Sequence, residues 1–484
     1  MTIAPTTPPV GLLVGEDWRS TASGGTREHV NAATGTVQAE ITLAGPDEVD
    51  EAVRAARGAF ADWRRWHPTE RRRVLQRLVE SMTAHRKEFI ALSAQECGIP
   101  VQVGQAIVQM GIDWADSAAT WADKVAGEVI PSAANVFDYT LAEPYGVVAV
   151  ILTWNGPAAS MGISVMPALA AGCCVVVKPS ELAPFSALLF ARLAREAGVP
   201  AGVINVVTGD AQAGAALVAH PGVDKVSFTG GIATAQAISA ACSRRLTPLL
   251  LELGGKSANI VFDDADRKKA LKSALGIIVL SGQGCIVPSR LLVQDSIYDE
   301  FVEQVTGALS QIRVGDPFDP KSVMGPVISD AACDRILGFV DRARNSQAGQ
   351  LLLGGDRLGG ELSDGYYLPP TVFGDVDNAS ELAQEEIFGP VLAIMRFTDE
   401  EHAVAMANDT QFGLAGFVHT TDMSRAVRVS AALDVGNVGV NGGGAMGGPE
   451  APFGGVKQSG YGREGGKGAL LEFLRIKNVM VDLD

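Results

Sequence analysis

Residues 146–178 read GVVAVILTWNGPAASMGISVMPALAAGCCVVVK. Two continuous apolar runs, Gly146–Leu152 and Cys173–Val177, bracket a helical stretch interrupted by Pro167 and Gly172. A strand with one wet face alternates polar with apolar residues. These runs do not, so both of their faces are expected to be buried, as in a parallel sheet covered by helices. The pattern recurs downstream at Val203–Val207 and Lys225–Phe228, and each run is followed by helical spacing. The helix after the Cys173 run is framed by Pro184 at its start and Gly198 at its end, the usual asymmetry of helix termini. Consecutive strand–helix units predict a doubly wound sheet over 145–262. Such sheets hold nucleotides at the carboxyl ends of their strands. The GxGxxG fingerprint is missing. Thr229-Gly230-Gly231 ends a predicted strand and opens a helix. It reads either as a plain turn or as backbone N–H groups that meet a pyrophosphate.

Upstream of this core, residues 46–127 read mostly as helices. Downstream, a second α/β region spans roughly 254–460. Its first element is expected to be a helix: Asp263, Asp264 and Asp266 suit an N-terminus, and Ala270, Leu271, Ala274, Leu275 and Ile278 follow at helical spacing. Arg290–Val293 and Val391–Ile394 are predicted strands. The last segment, Ala469–Val481, ends in an apolar strand-like run that needs a partner, which points to an oligomer.

A length of 484 residues suits two or three domains with sizeable cores. The net charge of −16 excludes a non-specific nucleic-acid binder, which needs a basic face. The run Arg71-Arg72-Arg73 sits beside Val74, Leu75, Leu78, Val79 and Met82 and reads as a solvated helix face. The cysteines lack CxxC spacing and the histidines lack HExxH spacing, so neither a disulfide framework nor a metal site is expected. Met1–Val10 has no basic n-region or apolar h-region, and Met161–Val177 is too broken to span a bilayer. The default expectation is a soluble, cytoplasmic protein.

Four places carry chemistry. Cys285, in Gly282-Gln283-Gly284-Cys285, reads locally as a small buried residue or as a nucleophile that substrate can approach closely. Glu252 is bracketed by Leu251 and Leu253; partial desolvation would raise it toward the range of a general base, and an ion pair with Lys256 is the alternative. Asn155 follows a buried strand, where it is either a turn-former ahead of Pro157 or an amide that stabilises an oxyanion. Lys178-Pro179-Ser180-Glu181 also follows a buried strand, at the nucleotide-binding edge, with capping by Ser180 as the alternative.

Taken in order, these segments resemble the aldehyde dehydrogenase superfamily: Trp154-Asn155, Lys178-Pro179-Ser180-Glu181, Phe228-Thr229-Gly230, Glu252-Leu253-Gly254-Gly255-Lys256, Gly282-Gln283-Gly284-Cys285, Glu385-Glu386-Ile387-Phe388-Gly389-Pro390 and Pro452-Phe453-Gly454-Gly455. The resemblance runs from about residue 10 to the end. It implies a Rossmann-like cofactor domain (1–121 and 141–253), an α/β catalytic domain (254–460), and an oligomerisation arm with a C-terminal strand (122–140 and 461–484). It implies Cys285 as nucleophile, Glu252 as general base, and Asn155 with the Cys285 N–H as oxyanion hole. Trp154, Lys178, Ser180, Glu181, Gly209, Thr229, Gly230, Gly231, Leu253, Glu386 and Phe388 fall at cofactor-binding positions. Glu181 would accept hydrogen bonds from a ribose 2′-hydroxyl and repel a 2′-phosphate, which favours NAD over NADP. The implied product is a carboxylic acid, released from a thioester by hydrolysis, and the implied assembly is a homo-oligomer, dimer or tetramer.

The chain departs from the family pattern at Gly231, where Ser is frequent, and at Pro288, where Gly is usual. Lys467 is read as replacing a Glu that assists proton transfer. The substrate tunnel is expected at Gly156, Ser160, Gly284, Ile286 and Phe453, with its mouth at the glycine-rich run 442–448. Small residues there suggest a bulky apolar or aromatic aldehyde, unless neighbours refill the space. The competing readings are a semialdehyde or betaine-aldehyde enzyme, a coenzyme A-acylating enzyme, and a catalytically silent protein on this fold.

Overall fold

The computed structural model describes residues 3–484. Its largest sheet has eight strands, in the order Asp17–Arg19, Leu12–Val14, Ile204–Val206, Cys174–Lys178, Val147–Ile151, Lys225–Thr229, Leu249–Glu252 and Gly460–Tyr461. The five strands from Ile204–Val206 to Leu249–Glu252 are parallel. All four predicted apolar runs are among them, and Val147–Ile151 and Cys174–Lys178 are buried throughout. The chain winds one way from Val147–Ile151 through Cys174–Lys178 to Ile204–Val206. It then returns to the other side of Val147–Ile151 with Lys225–Thr229. That reversal opens a crevice beyond the carboxyl ends of Val147–Ile151 and Lys225–Thr229, where ligands bind in open α/β sheets.

Four helices between Pro46 and Trp121 cover this sheet. One of them corrects the reading of the arginine run. Arg71 is buried, and its Nε donates to the Ala170 carbonyl at 3.0 Å. Arg72 pairs with Asp123 at 3.0 Å, and only Arg73 is exposed. The guanidinium of Arg71 joins this helix to Met166–Ala171, a tertiary role that helical spacing does not reveal.

The second sheet has seven strands, in the order Gln350–Leu353, Thr371–Gly374, Val391–Phe397, Arg290–Gln294, Ala258–Val261, Ala415–His419 and Asn437–Val440. Only Gln350–Leu353, at one edge, is antiparallel. The first element of this half is therefore a strand, Ala258–Val261, and not the helix expected. Asn259 interrupts its apolar run, yet is fully buried. The helix comes next, at Arg267–Ala274, with the Asp266 carboxylate accepting from the Lys268 and Lys269 N–H groups. It tightens to a 3-10 helix from Leu275, which carries the helical spacing on to Ile278 before the chain kinks at Val279–Ser281, where Leu280 and Ser281 take left-handed backbone angles.

A third sheet pairs Leu474–Asp482 with Val136–Pro144 along nine residues and adds Val129–Ile130 at its far edge. Among the described residues, no helix is long and apolar enough to cross a membrane. No group of three His, Cys, Asp or Glu residues there is placed to hold a metal ion.

Candidate active site

The site is assembled at the carboxyl ends of the parallel strands. Val147–Ile151 leads into Thr153-Trp154-Asn155, Lys225–Thr229 into Gly230-Gly231, and Leu249–Glu252 ends on the carboxylate itself. From the other half come Cys285 and the segment Glu386–Phe388. Asn155, Glu252, Cys285, Glu386 and Phe388 all line one cavity of about 250 Å³. Thr153, Trp154, Thr229, Gly230 and Gly231 belong to this cavity and also to a larger groove of about 810 Å³. The two spaces therefore meet at Trp154 and the Gly230-Gly231 turn.

Cys285 is half-buried, and its thiol is pushed up to about 12, first by burial and then by the Glu252, Glu386 and Glu464 carboxylates. A thiol held so high stays protonated unless a proton acceptor stands near it. Glu252 is 3% exposed, and neither of its carboxylate oxygens has a partner among the described residues. Burial, and next the charge of Glu464, hold its carboxyl well above the ordinary range. No ion pair with Lys256 forms. The Asn155 side-chain amide donates to the Gln283 carbonyl at 2.8 Å, which turns it toward the loop that carries Cys285.

The structure corrects the reading of Lys467. That side chain is exposed. The carboxylate next to Glu252 is Glu464, three residues earlier, and it was missed. Glu464 is buried, and its Oε1 accepts from the Ser164 hydroxyl at 2.8 Å. Its backbone is paired in both directions with that of Phe453. Burial holds its carboxyl above the ordinary range too. Nothing in Gly462-Arg463-Glu464 marks burial; it arises where that loop folds against Ser164, 300 residues away. Ser164 lies in a π-helical turn, Met161–Val165, of the helix that follows Asn155. Such turns are frequent at functional sites.

The larger groove fits a dinucleotide by its size and donors. Its volume lies within the ordinary range for cofactor pockets. The Lys178 ammonium and Glu181 carboxylate stand 3.6 Å apart on its wall, and Arg27 reaches the same carboxylate at 3.5 Å. Ser180 lines the groove, and its hydroxyl accepts from the Leu182 N–H at 3.2 Å, so it also shapes the turn. The neighbouring helices offer mostly small side chains there, including Ala211, Gly214 and Ala237, with Val218 and Ile238 beside them. In the smaller cavity, the Glu386 carboxylate accepts from the Gly255 N–H at 3.0 Å, and a Cβ at Gly254 would collide with it. Phe388 meets Trp154 edge-on, with ring centroids 5.4 Å apart. Leu253 lines this cavity as well. Gly209 does not line the groove; Asp210 beside it does, and a Cβ at Gly209 would collide with Ala213. Arg335, on the helix Asp330–Ser346, faces the Cys285 cavity and was missed, since its helix pattern looks like any amphipathic surface.

Of the tunnel residues, Ile286 and Phe453 pack in one apolar cluster with Cys285, joined by Trp114, Leu414 and Met446. Gly156 opens onto free space. The Ser160 hydroxyl turns back to the Gly156 carbonyl at 3.1 Å. The Gly284 position faces Val287, which takes up the room left by its missing side chain.

The profile of the aldehyde dehydrogenase family matches residues 18–479. A mitochondrial succinate-semialdehyde dehydrogenase of Arabidopsis thaliana is 42% identical, over 96% of this chain and 88% of its own. An aldehyde dehydrogenase of Emericella nidulans is 41% identical, over 97% of this chain and 95% of its own. Among solved structures, the betaine aldehyde dehydrogenase of Staphylococcus aureus in complex with NAD+ superposes with a TM-score of 0.96 at 34% identity, covering 99% of this chain and 96% of that one.

Proposed function

The chain belongs to the aldehyde dehydrogenase family, and from that premise we propose that it oxidises a bulky apolar or aromatic aldehyde to its carboxylic acid, with NAD as cofactor, through a thioester on Cys285. The observation that carries this reading is the single cavity shared by Cys285, Asn155 and Glu252.

Lys178, Glu181 and the Gly230-Gly231 turn would hold the adenosine and pyrophosphate end of the cofactor, and Glu386 with Phe388 the nicotinamide end. The Glu181 carboxylate favours a free 2′-hydroxyl over a 2′-phosphate. When bound, NAD accepts the hydride that leaves the substrate carbon.

The other steps belong to the chain. Glu252 takes the Cys285 proton, directly or through water, and the thiolate adds to the aldehyde carbon to give a thiohemiacetal. The Asn155 amide and the Cys285 N–H hold the oxyanion. After oxidation a thioester links the acyl group to Cys285. Glu252 passes the first proton on to solvent, then removes a proton from water as it attacks the thioester, and Cys285 leaves as thiolate. Glu464, buried and anchored by Ser164, stands next to Glu252 as a second carboxyl for that proton.

The apolar neighbours of Cys285, with rings at Trp114 and Phe453, support an apolar or aromatic substrate. A second reading, a semialdehyde, is favoured by the 42% identity to the plant enzyme. Against it stands the apolar packing around Cys285, while Arg335 in the same cavity is the cation that would meet an anionic tail. Catalytic efficiencies for benzaldehyde, a long-chain aldehyde, acetaldehyde, succinate semialdehyde and betaine aldehyde decide between them. The proposal expects the first two to lead, and an acetaldehyde or succinate semialdehyde preference would overturn it. Acid formed without coenzyme A separates hydrolysis from acyl transfer. Activity of any kind excludes a silent protein.

A further inference from the structure

The segment that delivers Cys285 is backbone-strained and tied down. Leu280, Ser281 and Gly282 are three consecutive residues in the left-handed region, with φ of 52°, 54° and 74°. Glycine adopts such angles freely; leucine and serine do so only where their surroundings over-determine the conformation. At Gly282 a Cβ would collide with the Gly389 carbonyl. The Ser281 hydroxyl donates to the Gly325 carbonyl at 2.8 Å and is itself buried.

The centre of the arrangement is Gln283, 2% exposed. Its Oε1 accepts from the Ile328 N–H at 3.0 Å. Its Nε2 donates to the Leu280 carbonyl at 3.1 Å, and its own N–H donates to that carbonyl at 2.9 Å. Its carbonyl is the acceptor that the Asn155 amide reaches at 2.8 Å. One residue therefore closes the strained turn, fixes it to the segment around Ile328, and presents a fixed acceptor to Asn155. Asn155 comes from the end of a strand in the eight-stranded sheet, and Gln283 from the half that carries the nucleophile. The hydrogen bond between them ties the two halves together at the reacting centre.

We propose that Gln283 is a positioning residue for the oxyanion hole: it sets the Asn155 amide and, two residues on, the Cys285 N–H relative to one another. The proposal rests on the reading of Asn155 as an oxyanion donor. Gln283 touches no substrate; it acts through Asn155 and through the turn. Misplacing such donors by a fraction of an ångström costs rate more than binding.

The test is a double-mutant cycle on the full-length protein with Gln283→Met and Asn155→Ala, read as kcat and aldehyde KM. NAD binding, followed by tryptophan fluorescence, is measured in parallel. Gln283→Met is expected to lower kcat about tenfold or more, with KM and NAD binding within about twofold of wild type. In the Asn155→Ala background the same change is expected to cost clearly less, because one of the two donors it positions is already gone. Gln283→Glu, which keeps the acceptor for Ile328 and loses the amide donor, is expected to fall between wild type and Gln283→Met. It replaces Gln283→Met in the cycle if that variant does not fold. Equal losses in both backgrounds, or an unchanged kcat in the single variant, would overturn the proposal. Wild type inert on every aldehyde would instead sink the dehydrogenase reading on which it rests.

Discussion

At the scale of the residue, the proposed chemistry rests on three side chains whose local sequences were ambiguous and which meet in one cavity. Asn155→Ala is expected to reduce kcat by about 10²–10³-fold, the usual loss for one oxyanion donor, and steady-state kinetics with the best aldehyde of the panel measure it. The titration of Glu252 gives a second expectation. Its carboxyl is held up by burial and by Glu464, and a base works only when ionised. Acyl-enzyme hydrolysis should therefore rise with pH well above the ordinary carboxylate range. In Glu464→Gln the like charge is gone, so the rise should move to lower pH; a single-turnover pH profile of both proteins reads the shift, and an unmoved profile would argue against coupling. Cys285, Glu252 and Asn155 were singled out not by their local sequences, each of which allowed a structural alternative, but by the order of motifs in which they stand. Glu464 stands in none of them: its role comes from burial against Ser164 and Phe453, which only the fold creates.

At the scale of the element, the parallel strands were readable because strands buried on both faces leave continuous apolar runs. Ala258–Val261 was not, since its Asn259 looks like a turn residue and is instead fully buried. The helix Phe185–Glu196 shows how elements are held from a distance. It has no side-chain cap of its own. Glu96, on the helix Arg86–Cys97, accepts from the Phe185 N–H at 2.6 Å and the Ser186 N–H at 3.2 Å, and also takes the Ser186 hydroxyl. Glu96→Ala strands these buried donors and is expected to cost about 1–3 kcal/mol in denaturant unfolding. Burial raises the Glu96 carboxyl to about 7, so the folded state holds its proton more tightly than the unfolded chain. The stability it contributes is present in full below its ordinary range and is lost as pH rises through about 7. The stability difference between wild type and Glu96→Gln should therefore fall across that window, and a pH-independent difference would contradict the assignment.

At the scale of the whole molecule, periodicity foresaw the parallel centre of the eight-stranded sheet and two strands of the seven-stranded one, and the order of the motifs supplied the expectation of a site. From the residues alone the arm was foreseen as a C-terminal strand in need of a partner; the family resemblance added the segment 122–140. The strand's partner within the chain is Val136–Pro144, and the pair still leaves apolar side chains in water. Val129, Phe137, Leu141 and Val481 are all exposed, and the strand register sets them on one face. Exposed apolar patches of this kind mark interfaces, so this face is expected to close a homo-oligomer. Phe137→Glu with Leu141→Glu should lower the sedimentation mass without unfolding the protein; an unchanged mass would place the interface elsewhere.

The covalent route through Cys285 is tested most directly by intact-mass spectrometry of the Glu252→Gln variant mixed with NAD and an aldehyde that the wild type oxidises. With water activation impaired, the protein is expected to gain the mass of the acyl group, with the adduct on Cys285 and absent in Glu252→Gln combined with Cys285→Ser. A Cys285→Ser enzyme that still makes acid, or a wild type acid-quenched during turnover that carries no acyl group on Cys285, would contradict the thioester mechanism.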